Sequence, residues 1–456
     1  MKPVLYVTFD GILQPLGYSQ VARIVMGLSE RGVPYRLLSL ERPKDLAKQG
    51  HTAEVRARLE RAGVTWTALP YDVSGTTKAA GSNVGRATAE VTKLAATGQI
   101  SLVHARAYHA ALVTSAAHYT TRIPYLFDAR SYWIDERITD GRWFGRRDVR
   151  TVARAIERRF FRDAAGVVTL TGIQANDLRT GKFGPWTGAP VVNIPTCADY
   201  DEFRLRDAEA AERVPSAVRE KMRGKRVIGL VGSLNKSYYA GETLEVVRRA
   251  LAKADDLHVL VLSDQQDEWR KLFDARGFDP SRVTIGVAPH AAMPAYMALV
   301  DFSVLLLVVN DAKRASVPTK LAELFASGVR PVYFGCNEEV TGWVAKAGSG
   351  HVLASLEEDE LERAATFLAE AKRDDAVLAR ARELTEGHFS LRTGLDQVRR
   401  ARARDHRLAL SHRSWSSTKT ADLARLVIGG LCPPPHGRSP LGPHLLVLGP
   451  GPKRFA

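Results

Sequence analysis

Cysteine is scarce in this chain. The 456 residues contain three, Cys197, Cys336 and Cys432, far apart and without paired spacing, which excludes a disulfide framework and a readable zinc site. A reducing compartment suits such a composition. Long apolar runs are missing as well: the densest, residues 302–309, is far shorter than the roughly 20 residues that cross a bilayer. The first eight residues lack the charged start, apolar stretch and small-residue cleavage site of a secretory signal. The expected location is therefore the cytoplasm, with attachment to the inner face of the plasma membrane left open.

Several nucleotide signatures are absent too. No G-x-G-x-x-G follows the first strand-like segment, so nicotinamide or flavin binding has no support. Residues 232–237 lack the glycines of a phosphate-binding P-loop, which excludes a kinase or NTPase of that kind. Asp199-Tyr200-Asp201 has an Asp-x-Asp spacing suited to manganese, but it follows Ile194-Pro195 where a domain junction is expected, and a structural turn is the simpler reading. No metal and no cofactor are expected.

What is present is enough apolar residue, 45% of the chain, to fill two α/β domains. The 65 Lys and Arg against 50 Asp and Glu give a formal charge of +15, which favours polyanionic partners: nucleic acid, anionic lipid or phosphorylated small molecules. Short apolar segments at residues 4–9, 35–40, 102–105, 125–128 and 167–170 alternate with amphipathic stretches such as 19–31. This βα pattern restarts at 226–232 and continues through 258–263, 283–286, 302–309, 332–335 and 351–354. The expected fold class is α/β, with two Rossmann-like domains at 1–200 and 226–390. Residues 201–225, charged and carrying Pro215, read as the linker region. A basic helix is expected over 391–412, with Arg399, Arg400, Arg402, Arg404 and Arg407, and a disordered Ser/Pro/Gly-rich tail over 413–456.

Open parallel sheets place ligands outside the carboxyl ends of their strands, so the loops there are where chemistry is sought. The strongest segment runs from Ser316 to Gly328, between two strand-like stretches. Pro318 suits the first helical position and Gly328 the left-handed residue that ends a helix. Free N–H groups at that helix start, with the hydroxyls of Ser316 and Thr319 and the ammonium of Lys320, suit a diphosphate. Glu323, one turn on, can accept both hydroxyls of a ribose. An ordinary capped surface helix is the alternative.

This block resembles the donor-binding signature of family 4 (GT4) of the retaining glycosyltransferases. Phe9–Gln20 is similar to the family's loop after the first strand, and Val103-His104-Ala105-Arg106 to a later N-terminal loop. Phe127-Asp128-Ala129-Arg130, running on to Trp133 and Asp135-Glu136-Arg137, is similar to a bacterial branch. Ile194–Asp199 resembles the segment ending the first domain, and Val231-Gly232-Ser233-Leu234 the first strand and loop of the second. The resemblance, from about Lys2 to Ser390, implies the GT-B fold, a nucleotide-sugar donor, a glycan or lipid-linked acceptor, and retention of anomeric configuration. It also marks two departures. Ala315 stands where the family has a carboxylate eight residues before Glu323, and Ser233 where it commonly has arginine. Lys236, Lys313 and Lys320 are the candidates to balance diphosphate charge.

On the acceptor side, Gly17 would let the backbone approach a ligand closely, with Ser19 and Gln20 opening a helix. His104, Arg106 and His109 follow a strand, so at least one is expected to reach the cleft. Asp128, Arg130, Asp135 and Glu136 form a cluster. Either Asp128 or Glu136 orients the attacking hydroxyl, or the cluster is a mutual ion-pair network. Arg150, Arg154, Arg158 and Arg162 recur every fourth residue along one helical stretch, as a solvated face or a contact for anionic headgroups. The expected activity is transfer of a sugar from a nucleotide sugar to a hydroxyl, with Lys320, Lys313, Asp128, His104 and Arg106 as catalytic candidates. A sugar-nucleotide epimerase on the same fold and a non-catalytic basic binding protein are the alternatives; nucleic acid is not an expected partner, and the oligomeric state stays open.

Overall fold

A computed structural model describes residues 2–398 except 142, 144 and 145. The calls on Cys432, on the arginines from Arg399 onward and on the tail lie outside the described residues. Two parallel sheets are found. The first has seven strands, β1 Val4–Thr8, β2 Tyr35–Glu41, β3 Thr65–Pro70, β4 Leu102–Arg106, β5 Tyr125–Ala129, β6 Gly166–Thr169 and β7 Val191–Asn193, in the order 3-2-1-4-5-6-7. The second has six, β8 Arg226–Val231, β9 Leu257–Leu262, β10 Val283–Gly286, β11 Phe302–Leu306, β12 Arg330–Phe334 and β13 His351–Val352, in the order 10-9-8-11-12-13. Every pairing is parallel, and the α/β class expected from the alternation is observed.

Central strands are apolar on both faces because helices cover both. In the first sheet Leu5, Val7, Val103 and Phe127 face one core, while Val4, Leu37, Leu102 and Leu126 face another. The two strands that the apolar pattern did not reveal are β3 and β7. Both are edge strands, half covered and rich in polar or proline neighbours, so they carry little of the signal.

The charged stretch 201–225 is not an extended linker. It carries helices Ala208–Ala211 and Ser216–Met222, and Ala210, Val214 and Met222 pack into the second domain's core beside Leu260 and Phe325. The chain crosses between domains at 197–200 and returns at 389–391. The two crossings are hydrogen bonded side by side: Ala198 N–H donates to the Phe389 carbonyl at 3.0 Å, and Leu391 N–H to the Ala198 carbonyl at 2.7 Å. Residues 391–398 are helical, and Leu395 and Val398 return to the first domain's core beside Val21 and Val25. Leu395→Ala is expected to lower unfolding free energy by about 2–5 kcal/mol, measured by urea titration of the full chain.

Candidate active site

The helix predicted around Lys320 runs from Thr319 to Ser327, and Gly328 ends it in the left-handed region at φ 71°. Pro318 sits one residue before the helix rather than at its first position, with φ −58°. No side chain caps this end, and the N–H groups of Thr319 and Lys320 have no hydrogen-bond partner among the described residues. Two donors thus point out of a helix whose dipole favours an anion. The helix follows β11, so this end opens at the carboxyl edge of the second sheet.

Lys320 folds back over the loop after β8. Gly232 there has φ 116°, and a Cβ on it would lie 2.9 Å from Lys320 Cε and 3.5 Å from Nζ; glycine is what lets the ammonium and this loop meet. The Lys320 ammonium has no ion pair or hydrogen bond among the described residues. Burial lowers its pKa, with Glu323 opposing the shift, and burial raises the Glu323 carboxyl, with Lys320 opposing. Both residues keep partial exposure. Ser316 is partly exposed, and Ser233 and Lys236 are exposed on the loop after β8.

Opposite lies the first domain. Arg23 pairs with Asp199 and Glu202 at the crossing, and Arg23 and Glu202 both act electrostatically on Glu323. His290, after β10, meets the Tyr18 ring of the first domain edge-on at 6.3 Å. Burial lowers the His290 pKa; Glu202 opposes the shift, while Arg23 and Lys320 add to it. Neither Arg23 nor His290 stood out in the sequence, because each is an ordinary polar residue until the two domains face each other.

The loop before the helix Thr319–Ser327 is gripped by the first domain. Lys313 Nζ donates to Glu136 Oε1 at 2.9 Å, so this lysine is committed to a cross-domain ion pair rather than held ready for a diphosphate, and Glu136 is equally occupied. Arg314 lies close enough to Asp177 and Tyr132 to act on both. Ala315 has no exposed surface and belongs to the first domain's core. A second clasp is Glu339, whose carboxylate accepts from Gly172 N–H at 2.6 Å and Asn193 Nδ2 at 3.3 Å.

The polar cluster of the first sheet is an ion-pair network. Tyr6 pairs with His104 across β1 and β4, and Asp128 of β5 pairs with Arg106, two residues beyond His104 on β4, so the three side chains gather on one face. Asp128, 3% exposed, meets Arg130 at 3.2 Å, Arg106 at 3.5 Å and His104 at 3.8 Å. Burial opposes its charge, but Arg130, His104 and Arg106 outweigh burial and hold the carboxyl well below the usual range. Burial also pushes the Tyr6 phenol upward. A carboxylate so enclosed and so acidic is poorly suited to take a proton from an acceptor. Arg106 extends the network to Asp10 at 2.9 Å, and the Asp10 side chain is 43% exposed. Asp10, inside the loop already singled out, is the network's outlet to the cleft. His109 stacks on Phe9 at 5.3 Å beside it.

Gly17 and Gln20 serve the fold. The helix begins at Pro15 rather than near Ser19 and passes through a π turn at Tyr18–Ala22. Gly17 is helical, and a Cβ on it would lie 2.1 Å from the Gly11 carbonyl oxygen, so its close approach is to the protein's own backbone. Ser19 Oγ bonds the Leu16 carbonyl, and buried Gln20 donates to the Cys197 carbonyl at the crossing. Glu41 was missed altogether. Fully buried, it accepts from Ile12 and Leu13 N–H at 2.8 and 3.2 Å and from Ser39 at 2.6 Å. It fixes the loop carrying Asp10 and Gly11. Burial raises its pKa, against those three hydrogen bonds. The legible signal was an acidic residue at an inward position of an apolar strand.

Residues 19–197 match the family profile described as a glycosyl transferase 4-like domain. A search of the curated proteins returns no match. Among solved structures, the chain is similar to Anabaena HepE in complex with UDP-glucose, with a TM-score of 0.64 at 15% identity, covering 89% of this chain and 100% of that one. It is similar to sucrose-phosphate synthase from Thermosynechococcus elongatus, with a TM-score of 0.64 at 14% identity over 90% and 100% of the chains. A UDP-N-acetylglucosamine 2-epimerase gives 0.57 at 14% over 92% and 100%. The fold is GT-B-like.

Asp128→Asn is expected to destabilise the chain by about 3–5 kcal/mol at neutral pH, because buried arginines lose their partner. The folded Asp128 pKa lies below the ordinary 3.8, so its contribution is complete above that value and is lost as pH falls through the folded pKa. Urea melts of both proteins should therefore converge on acidification.

Proposed function

We propose that this chain transfers a sugar from a nucleotide diphosphate sugar to an acceptor hydroxyl. One observation carries the reading: the Lys320 ammonium and the Thr319 and Lys320 N–H groups, none with a partner among the described residues, stand at one helix start, with the Lys320 side chain lying over Gly232. Such a cradle matches a diphosphate in charge and donor geometry. The match of residues 19–197 to a glycosyl transferase 4-like domain and the likeness to HepE, a structure holding UDP-glucose, support the choice of ligand.

The second domain holds the nucleotide, with Glu323 offered to ribose hydroxyls and Ser233, Ser316 and Thr319 around the phosphates. The first domain presents a glycan or lipid-linked acceptor near Asp10, which Arg106 orients. As the bond between anomeric carbon and diphosphate oxygen lengthens, charge grows on that oxygen, and Lys320 with the helix N–H groups stabilises it without calling on a metal. Tyr18 and His290 narrow the cleft and exclude water, which limits hydrolysis. Retention follows from the family resemblance through attack on the face the leaving group departs from.

The test is calorimetry with UDP and a transfer assay with UDP-glucose and UDP-N-acetylglucosamine. Lys320→Met should weaken UDP binding about tenfold to a hundredfold, the worth of one charge-assisted hydrogen bond. It should also raise the melting temperature of the unliganded protein, since the lysine's charge is disfavoured where it sits. Unchanged UDP affinity in Lys320→Met would remove the donor site from this helix. Isomerised sugar from donor alone, without acceptor, would instead establish the epimerase.

A further inference from the structure

We propose that the first domain docks on an anionic bilayer through the helix Arg147–Asp163 and the neighbouring loop 180–188. The helix buries Val149, Ala153 and Phe160 and turns Arg147, Arg158 and Arg162 to solvent, with Arg150 on the flank. Arg154 is spent inward on Asp135 and Glu157, and Arg162 on Asp163 at 2.7 Å. The guanidinium groups of Arg147, Arg150 and Arg158 have no ion pair or hydrogen bond among the described residues.

The loop supplies what a merely solvated arginine face lacks. Gly181, Gly184 and Gly188 have φ of 88°, 106° and 80°, a backbone that other residues resist, and they shape a turn presenting Pro185 and Trp186. The turn packs on the arginine helix: a Cβ at Gly184 would lie 3.6 Å from Arg158 Cγ, ordinary contact. Trp186 rests against the domain core yet keeps partial exposure, and its indole N–H has no partner among the described residues. An indole half in apolar surroundings and half in water, beside unpaired arginines, is the composition of a surface that sits at lipid headgroups. A single-stranded nucleic acid would call for a groove with successive stacking rings, whereas this face offers one helix and one indole. Among the described residues no helix is long and apolar enough to cross a membrane, so contact would be peripheral.

The face is coupled to the cleft by the short helix Trp133–Thr139, which sends Asp135 to Arg154 and Glu136 to Lys313. An acceptor with a lipid anchor could then meet the active cleft without leaving the bilayer. The docking surface does not depend on the donor assignment, and its test uses no sugar nucleotide.

The full-length chain is sedimented with phosphatidylcholine vesicles, with and without phosphatidylglycerol. Binding is expected only with phosphatidylglycerol, and it should weaken as salt rises. Each basic contact at such a surface is worth roughly a fivefold change in partitioning, so Arg147→Glu with Arg158→Glu should cost at least 25-fold by this rough measure. Trp186→Ala should lower partitioning while leaving its salt dependence unchanged, a readout that lost charge would not give. Equal binding to neutral vesicles, no binding to either, or binding that survives these substitutions overturns the proposal. Displacement from the vesicles by a single-stranded RNA homopolymer, with Trp186→Ala without effect, would assign the face to polyanions in general.

Discussion

Ala315 sits without exposed surface in the core of the domain it does not belong to, and that packing ties the segment around it to the first domain. The segment 311–317 leads directly into the helix that begins at Thr319, so its burial orients the Thr319 and Lys320 N–H groups, without a partner among the described residues, and the Lys320 ammonium. Lys313 bonds Glu136 on one side of it and Thr196 bonds the Val317 carbonyl on the other. A helix start made of short-range bonds is thereby positioned by long-range ones.

The same packing explains the departure at position 315. The resemblance calls for a carboxylate there, and an ionised carboxylate in an apolar core would be very costly unless paired. Alanine is the residue this arrangement admits. Lys313 reads differently in its light as well: two residues before the buried alanine, it is drawn to the neighbouring domain's Glu136 and acts as a strut.

Much of the fold was legible because its signal is local. Apolar segments of five or six residues, separated by helix-length amphipathic stretches, announce a parallel sheet covered on both faces, and the charged break near residue 200 divides two of them. Edge strands β3 and β7 escaped because a strand covered on one side carries half the pattern. The linker was misread because charge in 201–225 marks an exposed face, while Ala210, Val214 and Met222 are too few to show a buried one. In the site, the helix ending at Gly328 was readable from proline and glycine alone. Asp128 and Arg130 were not assignable, since alternating charges look the same whether they await a ligand or satisfy each other; burial of 3% exposure at Asp128 distinguishes the two. Glu41 escaped for a related reason, as its partners are backbone N–H groups some thirty residues away.

The paired crossings at Ala198 and Ser390 have a consequence for how the molecule moves. Two segments of one chain bound edge to edge resist twisting and sliding but bend together about the line between them, as a door turns on its pins rather than a ball in a socket. Rotation about that single axis would return Lys313 to Glu136 and Glu339 to Gly172 in the same alignment each time the halves meet. Accuracy at the far rim of the cleft is then set at its spine.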